Sequence, residues 1–162
     1  MSERIAIYPG SFDPPTLGHL DLIERAVNIF DHVIVAVSIN REKSGLFSVE
    51  ERVEMLQELL THLPQVSVEH FLGLTVDLAR QRDAVALIRG LRVASDFEFE
   101  LTMAINNHKL APEIETVNLM PSEPYLFLSS RLVKEIAAFN GTLSHFVSPS
   151  VERRLKEKFK SE

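Results

Sequence analysis

Residues 5–19 read IAIYPGSFDPPTLGH, an apolar run that leads through a loop into the start of a helix. The run at 5–8 is typical of a buried strand. Three prolines and two glycines restrict the path of the loop, and Gly18 and His19 stand where helical periodicity begins. Free backbone N–H groups and the positive end of the helix dipole favour anions at such a position. The stretch therefore predicts a strand–loop–helix unit that presents an anion-binding site.

Four further apolar runs follow, separated by segments of helical periodicity. The runs cover residues 33–37, 66–68, 85–88 and 116–119, and the first and third are apolar throughout, as in strands covered on both faces. Helices are predicted at about 20–30, 48–63, 75–82, 94–110 and 129–139, with a charged C-terminal helix after Ser148 and Pro149. This alternation predicts an α/β fold. We expect a Rossmann-like, doubly wound, five-stranded parallel sheet with helices on both faces and a C-terminal helix, formed by residues 1–162 as a single domain.

Composition excludes several classes of protein. The chain has 162 residues, 45% of them hydrophobic, and contains no Cys, which excludes a disulfide scaffold, a thiolate metal site and a cysteine nucleophile. Seventeen basic and 23 acidic residues give a net charge of −6, which argues against binding of DNA or RNA. No apolar run approaches 18 residues and no signal peptide is evident, so we expect a cytoplasmic protein without membrane contact.

Common phosphate and metal signatures are missing from the sequence. It contains neither Gly-x-Gly-x-x-Gly nor Gly-Lys-Ser/Thr, which disfavours a nicotinamide-dependent Rossmann enzyme and a P-loop nucleotidase. The six His residues form no His-x-x-x-His pair, and no carboxylate cluster indicates a dedicated metal site. Any phosphate group must therefore be held by a local cluster of cations and N–H donors.

Four loops carry residues suited to that chemistry. Besides His19, Arg89 and Arg92 follow the fourth strand, Lys43 follows the second, and Ser129 and Ser130 open a helix that contains Lys134. Each loop alone also has a structural explanation: His19 and the Ser pair as helix caps, Lys43 as part of a solvated turn, and the two Arg as ion-pair partners of Asp96, Glu98 and Glu100. All four loops together indicate an anion site at one edge of the sheet.

These residues support a resemblance to a known family. The first loop, residues 8–19, resembles the T/HxGH signature of the nucleotidyltransferase superfamily, and Ser129-Ser130-x-x-x-Lys134 is similar to its second, ISSTxxR-like signature. With Arg89-Gly-Leu-Arg92 and Phe47-Ser-x-Glu-Glu-Arg52, the chain resembles the bacterial phosphopantetheine adenylyltransferase family. The resemblance implies transfer of the adenylyl group of ATP to 4′-phosphopantetheine, which gives dephospho-coenzyme A and pyrophosphate in coenzyme A biosynthesis.

The resemblance also implies a role for each site residue. His19 would stabilise the transition state, Ser11 would contact both substrates, and the backbone of Phe12 would meet ATP. Lys43 and Arg89 would bind the phosphate of phosphopantetheine, and the backbone amide of Thr75 would hold the pantetheine arm. The remaining ATP-binding positions are Gly90, Leu91, Arg92, Glu100, Tyr125, Leu126, Phe127, Leu128, Ser129, Ser130 and Arg131. Arg131 departs from the family pattern, in which a small hydroxyl residue follows the Ser pair.

Further expectations concern cofactors and partners. Mg²⁺ would arrive with ATP, held by phosphate oxygens and water. The resemblance implies a homohexamer and coenzyme A as a product-like feedback ligand; Phe97, Phe99 and Met103 are candidates for either the core or a subunit contact. Two alternatives remain: a nucleotidyltransferase that acts on nicotinamide mononucleotide or glycerol 3-phosphate, or a non-catalytic nucleotide-binding module.

Overall fold

The computed structural model describes residues 3–40 and 45–160, so the predicted site residue Lys43 lies outside the described residues. All five predicted strands are present, and most extend by one to three residues beyond their apolar runs. The strands are β1 (Ile5–Gly10), β2 (His32–Ser38), β3 (Val66–Phe71), β4 (Ala86–Gly90) and β5 (Glu115–Leu119). They form one sheet in the order β3-β2-β1-β4-β5, and every neighbouring pair is parallel. The predicted doubly wound α/β fold is confirmed.

The helices also follow the sequence pattern. They are α1 (Leu17–Ala26), α2 (Val49–Leu59), α3 (Thr75–Gln81), α4 (Ala94–Leu110), α5 (Ser130–Ala138) and α6 (Pro149–Lys160). The Ser48 hydroxyl accepts from the Glu51 N–H, and the Glu51 carboxylate accepts from the Ser48 N–H, so a capping box starts α2. Periodicity did not predict the 3₁₀ turn at Glu123–Tyr125, since three residues are too few to show a period. Among the described residues, no helix is both long and apolar enough to cross a membrane.

Both faces of the sheet are buried, and alternate residues of each strand point to opposite faces. Ala6 and Tyr8 pack in the cluster that contains the apolar side chains of α1 and α2, whereas Ile7 packs with α3 and the residues after α4. The same alternation continues in β2 and β4. Helices on both faces therefore shield the sheet and leave its carboxyl edge for ligand contact.

The position of the site follows from the strand order. The chain passes from β1 to β2 on one side and later adds β4 on the other side of β1, so the loops after β1 and β4 diverge. A crevice at the carboxyl ends of the strands forms where the order reverses in this way. Here it opens beyond Gly10 and Gly90, the last residues of β1 and β4.

The C-terminal helix closes a third apolar cluster. Val151 and Leu155 of α6 are fully buried against α5, together with Phe47 and Met55. Because Leu128 also belongs to this cluster, the packing of α6 supports the loop that leads into α5. The end of the chain thus contributes to the stability of one wall of the crevice.

Leu155→Ala tests this contribution. Removing a fully buried Leu side chain leaves a cavity, so we expect the free energy of unfolding to fall by about 2–5 kcal/mol in urea titration. Phe139→Ala is the control, because Phe139 is 88% exposed and its truncation should change stability by less than about 0.5 kcal/mol. Equal effects of the two variants would contradict the packing assigned to α6.

Candidate active site

The crevice between the loops after β1 and β4 has a volume of about 470 Å³. It is large enough for a substrate of nucleotide size. Eleven predicted site residues line it: Ser11, Phe12, His19, Arg89, Gly90, Arg92, Glu100, Tyr125, Leu128, Ser129 and Ser130. Both sequence signatures therefore meet in one cavity, although more than 100 residues separate them.

His19 is held by the turn that starts α1. The Thr16 N–H donates to His19 Nδ1 at 3.0 Å, and the His19 N–H donates to the Thr16 hydroxyl at 3.4 Å, so His19 occupies the third position of a capping box. Because Nδ1 accepts a hydrogen bond, the proton of the neutral ring lies on Nε2. His19 can therefore be both a helix cap and an anion-binding residue, because the capping bond at Nδ1 leaves Nε2–H as a donor.

The surroundings of His19 keep it neutral. The ring of His19 is partly buried and borders the crevice. Phe12 packs against it with ring centroids 4.9 Å apart, so protein atoms replace part of the water around the ring. This desolvation, with the positive charge of Arg92 as the second cause, lowers the pKa of His19 to about 4. Burial likewise raises the pKa of Tyr8, whose ring packs against Phe12. At neutral pH the floor of the crevice thus offers neutral donors.

Arg89 points into the crevice with an ion-pair partner. Its Nε and Nη2 donate to the two carboxylate oxygens of Glu100, both at 2.9 Å, and Nη1 approaches the Pro9 carbonyl at 3.5 Å. The hydrogen bonds to Glu100 raise the pKa of Arg89 despite its burial. Each terminal nitrogen carries a second N–H, which leaves donors for a bound phosphate. Glu100 is buried, and it orients the guanidinium.

Arg92 links the loop after β4 to the segment that leads into α5. Its Nη1 donates to the Leu128 carbonyl at 2.8 Å, and its Nε donates to Asp96 at 3.2 Å. Burial tends to raise the pKa of Asp96, but the hydrogen bonds and charge of Arg92 outweigh it and lower that pKa. The ion pairs considered for Arg89 and Arg92 are therefore present with Glu100 and Asp96, and both cations nevertheless line the crevice.

The second signature forms the opposite wall. Ser129 caps α5 by accepting from the Leu132 N–H at 3.1 Å, and the Ser130 hydroxyl donates to the Pro14 carbonyl at 2.7 Å. The Ser pair is thus both a helix cap and a link to the first loop. Since the start of α5 lines the crevice, its positive dipole end is a second position that favours anions.

Several predicted residues lie outside the crevice in this structure. Arg131 pairs with Glu135, and its side chain is 89% exposed, so its departure from the family pattern adds no charge to the crevice. Leu91 lines a neighbouring apolar groove with Phe97 and Met120. The other residues absent from the crevice lining are Leu126, Phe127 and Thr75. Their roles stay predictions, as does that of Lys43.

The crevice lining also contains residues outside the predicted set. Tyr8 and Thr16 belong to the first signature, whereas the sequence did not indicate Leu22, Ser38 and Pro121. Ser38 is the last residue of β2, and its hydroxyl donates to the Gly10 carbonyl at 3.2 Å. The rule that strand ends meet at one edge could have identified Ser38. Pro121 lies in the segment before the 3₁₀ turn, which Asp21 of α1 fixes by accepting from the Ser122 N–H and hydroxyl at 2.8 and 2.6 Å.

A metal ion held by the protein itself would need several carboxylate or imidazole ligands close together. Within 3–40 and 45–160, no group of three or more His, Asp or Glu side chains is placed to ligate one. Glu100, the carboxylate that lines the crevice within the described residues, is paired with Arg89, and the neighbouring Asp96 is paired with Arg92. These donor sets fit a cation carried by a phosphate ligand better than one held by the protein alone.

Sequence comparison defines the class of protein. The cytidylyltransferase-like family model matches residues 7–136, a range that contains both signatures and all the described residues that line the crevice. Among curated relatives, the phosphopantetheine adenylyltransferase of Caldanaerobacter subterraneus subsp. tengcongensis is 55% identical over 97% of this chain and 98% of that protein. Those of Desulforudis audaxviator and Thiobacillus denitrificans are 56% and 52% identical, and each alignment covers 96% of this chain. The chain belongs to the phosphopantetheine adenylyltransferase family.

A comparison of structures supports the fold. A protein from Vibrio parahaemolyticus, whose assignment as a nicotinate-nucleotide adenylyltransferase is provisional, matches with a TM-score of 0.72 over 99% of this chain and 93% of that one. The two sequences are 17% identical, so the match concerns the fold alone.

The low pKa of His19 predicts a pH dependence of stability. As pH falls from 6.5, the unfolded chain takes up a proton on His19 before the folded chain does, because the folded-state pKa is about 4. The folded state is therefore destabilised across this window. We expect wild type to lose about 2 kcal/mol more than His19→Gln between pH 7 and pH 5, measured by urea unfolding at both pH values. If the free energy of unfolding falls equally in the two proteins between pH 7 and pH 5, His19 is not desolvated in the folded state.

Proposed function

We propose that this protein transfers the adenylyl group of ATP to 4′-phosphopantetheine. A phosphate oxygen of the acceptor attacks the α-phosphorus of ATP. The bond between that phosphorus and the oxygen that bridges the α- and β-phosphates breaks, and dephospho-coenzyme A and pyrophosphate form. The observation that carries the proposal is the identity of 52–56% to phosphopantetheine adenylyltransferases over nearly the whole chain. The crevice supports it, because its donors and cations suit two phosphorylated substrates.

The proposed reaction needs no general base. A phosphate monoester has a second pKa near 6, so the attacking oxygen is already deprotonated at neutral pH. Catalysis can then consist of positioning and of stabilising the charge that develops on the α-phosphate and pyrophosphate. A neutral His19 suits this task. It donates a hydrogen bond from Nε2, and it need not act as a base because the acceptor phosphate is already deprotonated.

We assign roles within the crevice as follows. His19 Nε2–H stabilises the α-phosphate of the adenylyl group during transfer, and Arg92 together with the N-termini of α1 and α5 stabilises pyrophosphate. Arg89, oriented by Glu100, receives the phosphate of phosphopantetheine, with Lys43 as its expected partner. Ser11 and Phe12 of the first loop also line the crevice, where we expect Ser11 to contact both substrates and the backbone of Phe12 to contact ATP.

Mg²⁺ belongs to the proposed reaction as part of the substrate. We expect it to enter with ATP and to be held by phosphate oxygens and water, since Glu100 and Asp96 are paired with arginines. The ion would reduce the negative charge of the triphosphate. We place the reaction in the cytoplasm, where ATP is available.

An acceptor panel tests the proposed function. With Mg²⁺ and ATP, the protein should release pyrophosphate with 4′-phosphopantetheine and not with nicotinamide mononucleotide or glycerol 3-phosphate. Mass spectrometry should identify dephospho-coenzyme A as the product. Turnover with another acceptor alone would replace the proposed substrate, and ATP binding without turnover on any acceptor would favour a non-catalytic nucleotide-binding module.

His19→Ala tests the role of the Nε2–H donor. Loss of a single preorganised donor lowers kcat by roughly 10²–10³. We expect a decrease of that size or larger in pyrophosphate release, with ATP still bound in calorimetry. His19→Gln, which retains an N–H donor, should retain more activity than the Ala variant. A near-normal rate in His19→Ala would remove this residue from the mechanism.

We also propose that copies of this chain assemble through α4, in the homohexamer that the family resemblance implies. Phe97, Phe99, Leu101 and Ile105 on α4 are 46–60% exposed, so Phe97 and Phe99 are not core residues of the described chain. Exposed apolar side chains grouped on one element favour contact with another protein surface. Coenzyme A, which shares the phosphopantetheine group, is proposed as a feedback ligand of the same crevice.

Sedimentation tests the assembly. Wild type should sediment as an oligomer, and Phe99→Asp should shift it towards smaller species because a charge is introduced at the contact. Phe139→Asp is the matched control, since Phe139 is equally apolar, 88% exposed and located at the end of α5. A monomeric wild type, or equal effects of the two variants, would contradict assembly through α4.

A further inference from the structure

The proposed reaction leaves one sequence motif without a role. Residues 47–52 read FSVEER and lie at the start of α2, outside the crevice. Arg52 is 7% exposed, which is rare for a charged side chain. Burying a cation costs free energy unless its N–H groups are bonded. The partners of this guanidinium therefore indicate what it does.

Arg52 is bonded to the backbone of the first loop. Its Nη1 donates to the Ser11 carbonyl at 2.8 Å, and its Nε donates to the Ser48 carbonyl at 3.2 Å. Among residues 3–40 and 45–160, no carboxylate oxygen lies within 4.0 Å of the guanidinium. Within this part of the chain, its hydrogen bonds to two carbonyl groups are thus its strong polar contacts.

The bonded carbonyl lies at a strained point of the loop. Phe12, the next residue, has a φ of 48°, in the left-handed region that costs energy for residues other than glycine. A strained conformation persists only when its surroundings hold it. The Phe12 ring is buried against His19, and Ser11 lines the crevice, so the backbone conformation here determines how both residues face a substrate.

A second attachment lies on the other side of Phe12. The Asp13 carboxylate accepts from the Leu46 and Phe47 N–H groups, each at 2.9 Å. The chain just before and at the start of α2 therefore holds the loop at Ser11 and at Asp13, with Phe12 between them. The two attachments differ in kind. At Asp13, a side chain of the first loop accepts hydrogen bonds from backbone N–H groups, whereas at Ser11 a backbone carbonyl accepts one from the Arg52 side chain. Substitution of Arg52 therefore removes only the attachment at Ser11.

We propose that Arg52 is a positioning residue, which holds the Ser11–Phe12 backbone in the conformation that presents Ser11 and His19 to the substrates. The inference deepens the proposed adenylyl transfer and rests on it for the kinetic readout. It assigns to Arg52 no contact with substrate. Without the bond to the Ser11 carbonyl, we infer that the loop samples other conformations and that the crevice is not preorganised.

The test uses two replacements of Arg52. Arg52→Met keeps the length of the side chain and removes both donors, whereas Arg52→Lys keeps the charge and one donor group. Amide hydrogen exchange, followed by mass spectrometry on peptides that cover residues 10–16, reports on the loop without any substrate. We expect exchange there to rise at least tenfold in Arg52→Met and less in Arg52→Lys, with β5 unchanged.

Kinetics give the second readout. We expect kcat/KM for adenylyl transfer to fall at least tenfold in Arg52→Met and to recover in part in Arg52→Lys. Ile114→Ala is the control for lost stability, because Ile114 is 2% exposed and belongs to the second cluster, on the face of the sheet away from α1 and α2, just before the amino end of β5. It should unfold at lower urea concentration yet keep kcat/KM within about twofold and leave exchange at residues 10–16 unchanged.

The outcomes separate the two proposals. Unchanged exchange at residues 10–16 in Arg52→Met would overturn the positioning role, whatever the reaction. An equal rise of exchange at residues 10–16 in Ile114→Ala would also overturn it, since general destabilisation would then explain the result. Absence of turnover in wild type would contradict the proposed function and leave the exchange experiment decisive for Arg52. If Arg52→Met does not fold, Arg52→Gln replaces it in both measurements.

Discussion

The Asp13 carboxylate joins the three parts of the chain that enclose the crevice. It is 7% exposed, and besides the Leu46 and Phe47 N–H groups it contacts the Lys134 ammonium at 3.2 Å. Buried carboxylates are tolerated only when their oxygens are bonded, and charge-assisted bonds of this kind are strong. The first loop, the start of α2 and helix α5 therefore have fixed relative positions, and the geometry around His19 depends on them.

The crevice offers an environment suited to anions in a protein of net negative charge, because its cations are already organised. Glu100 holds Arg89, Asp96 holds Arg92, and both guanidinium groups line the cavity. The ion pairs lower the local positive charge of the crevice, and because they order two long side chains in advance, binding of a ligand costs less conformational entropy. Neutral His19 adds a donor without adding charge.

The sequence predicts the fold well, because strand and helix periodicities agree with each other along the whole chain. It also identifies His19, Arg89, Arg92 and the Ser pair, since strand ends and helix starts converge at one edge of a parallel sheet. It offers three carboxylates as partners of the two arginines but does not indicate which one each arginine binds. The bidentate Arg89–Glu100 bond and the link from Arg92 to the Leu128 carbonyl depend on side-chain directions. Arg131 illustrates the same limit, because periodicity does not reveal that it turns to solvent.

The walls of the crevice come from opposite ends of the chain. The Ser130 hydroxyl bonds the Pro14 carbonyl across 116 positions, and Lys134 reaches Asp13 across 121. Contacts between such distant positions form after local ones, because closing a long loop costs entropy. During synthesis on the ribosome, β1 and α1 emerge long before α5 exists. A nascent chain therefore carries His19 without the opposite wall of its crevice, and the preorganised cavity arises only once the last quarter of the polypeptide has folded onto the first.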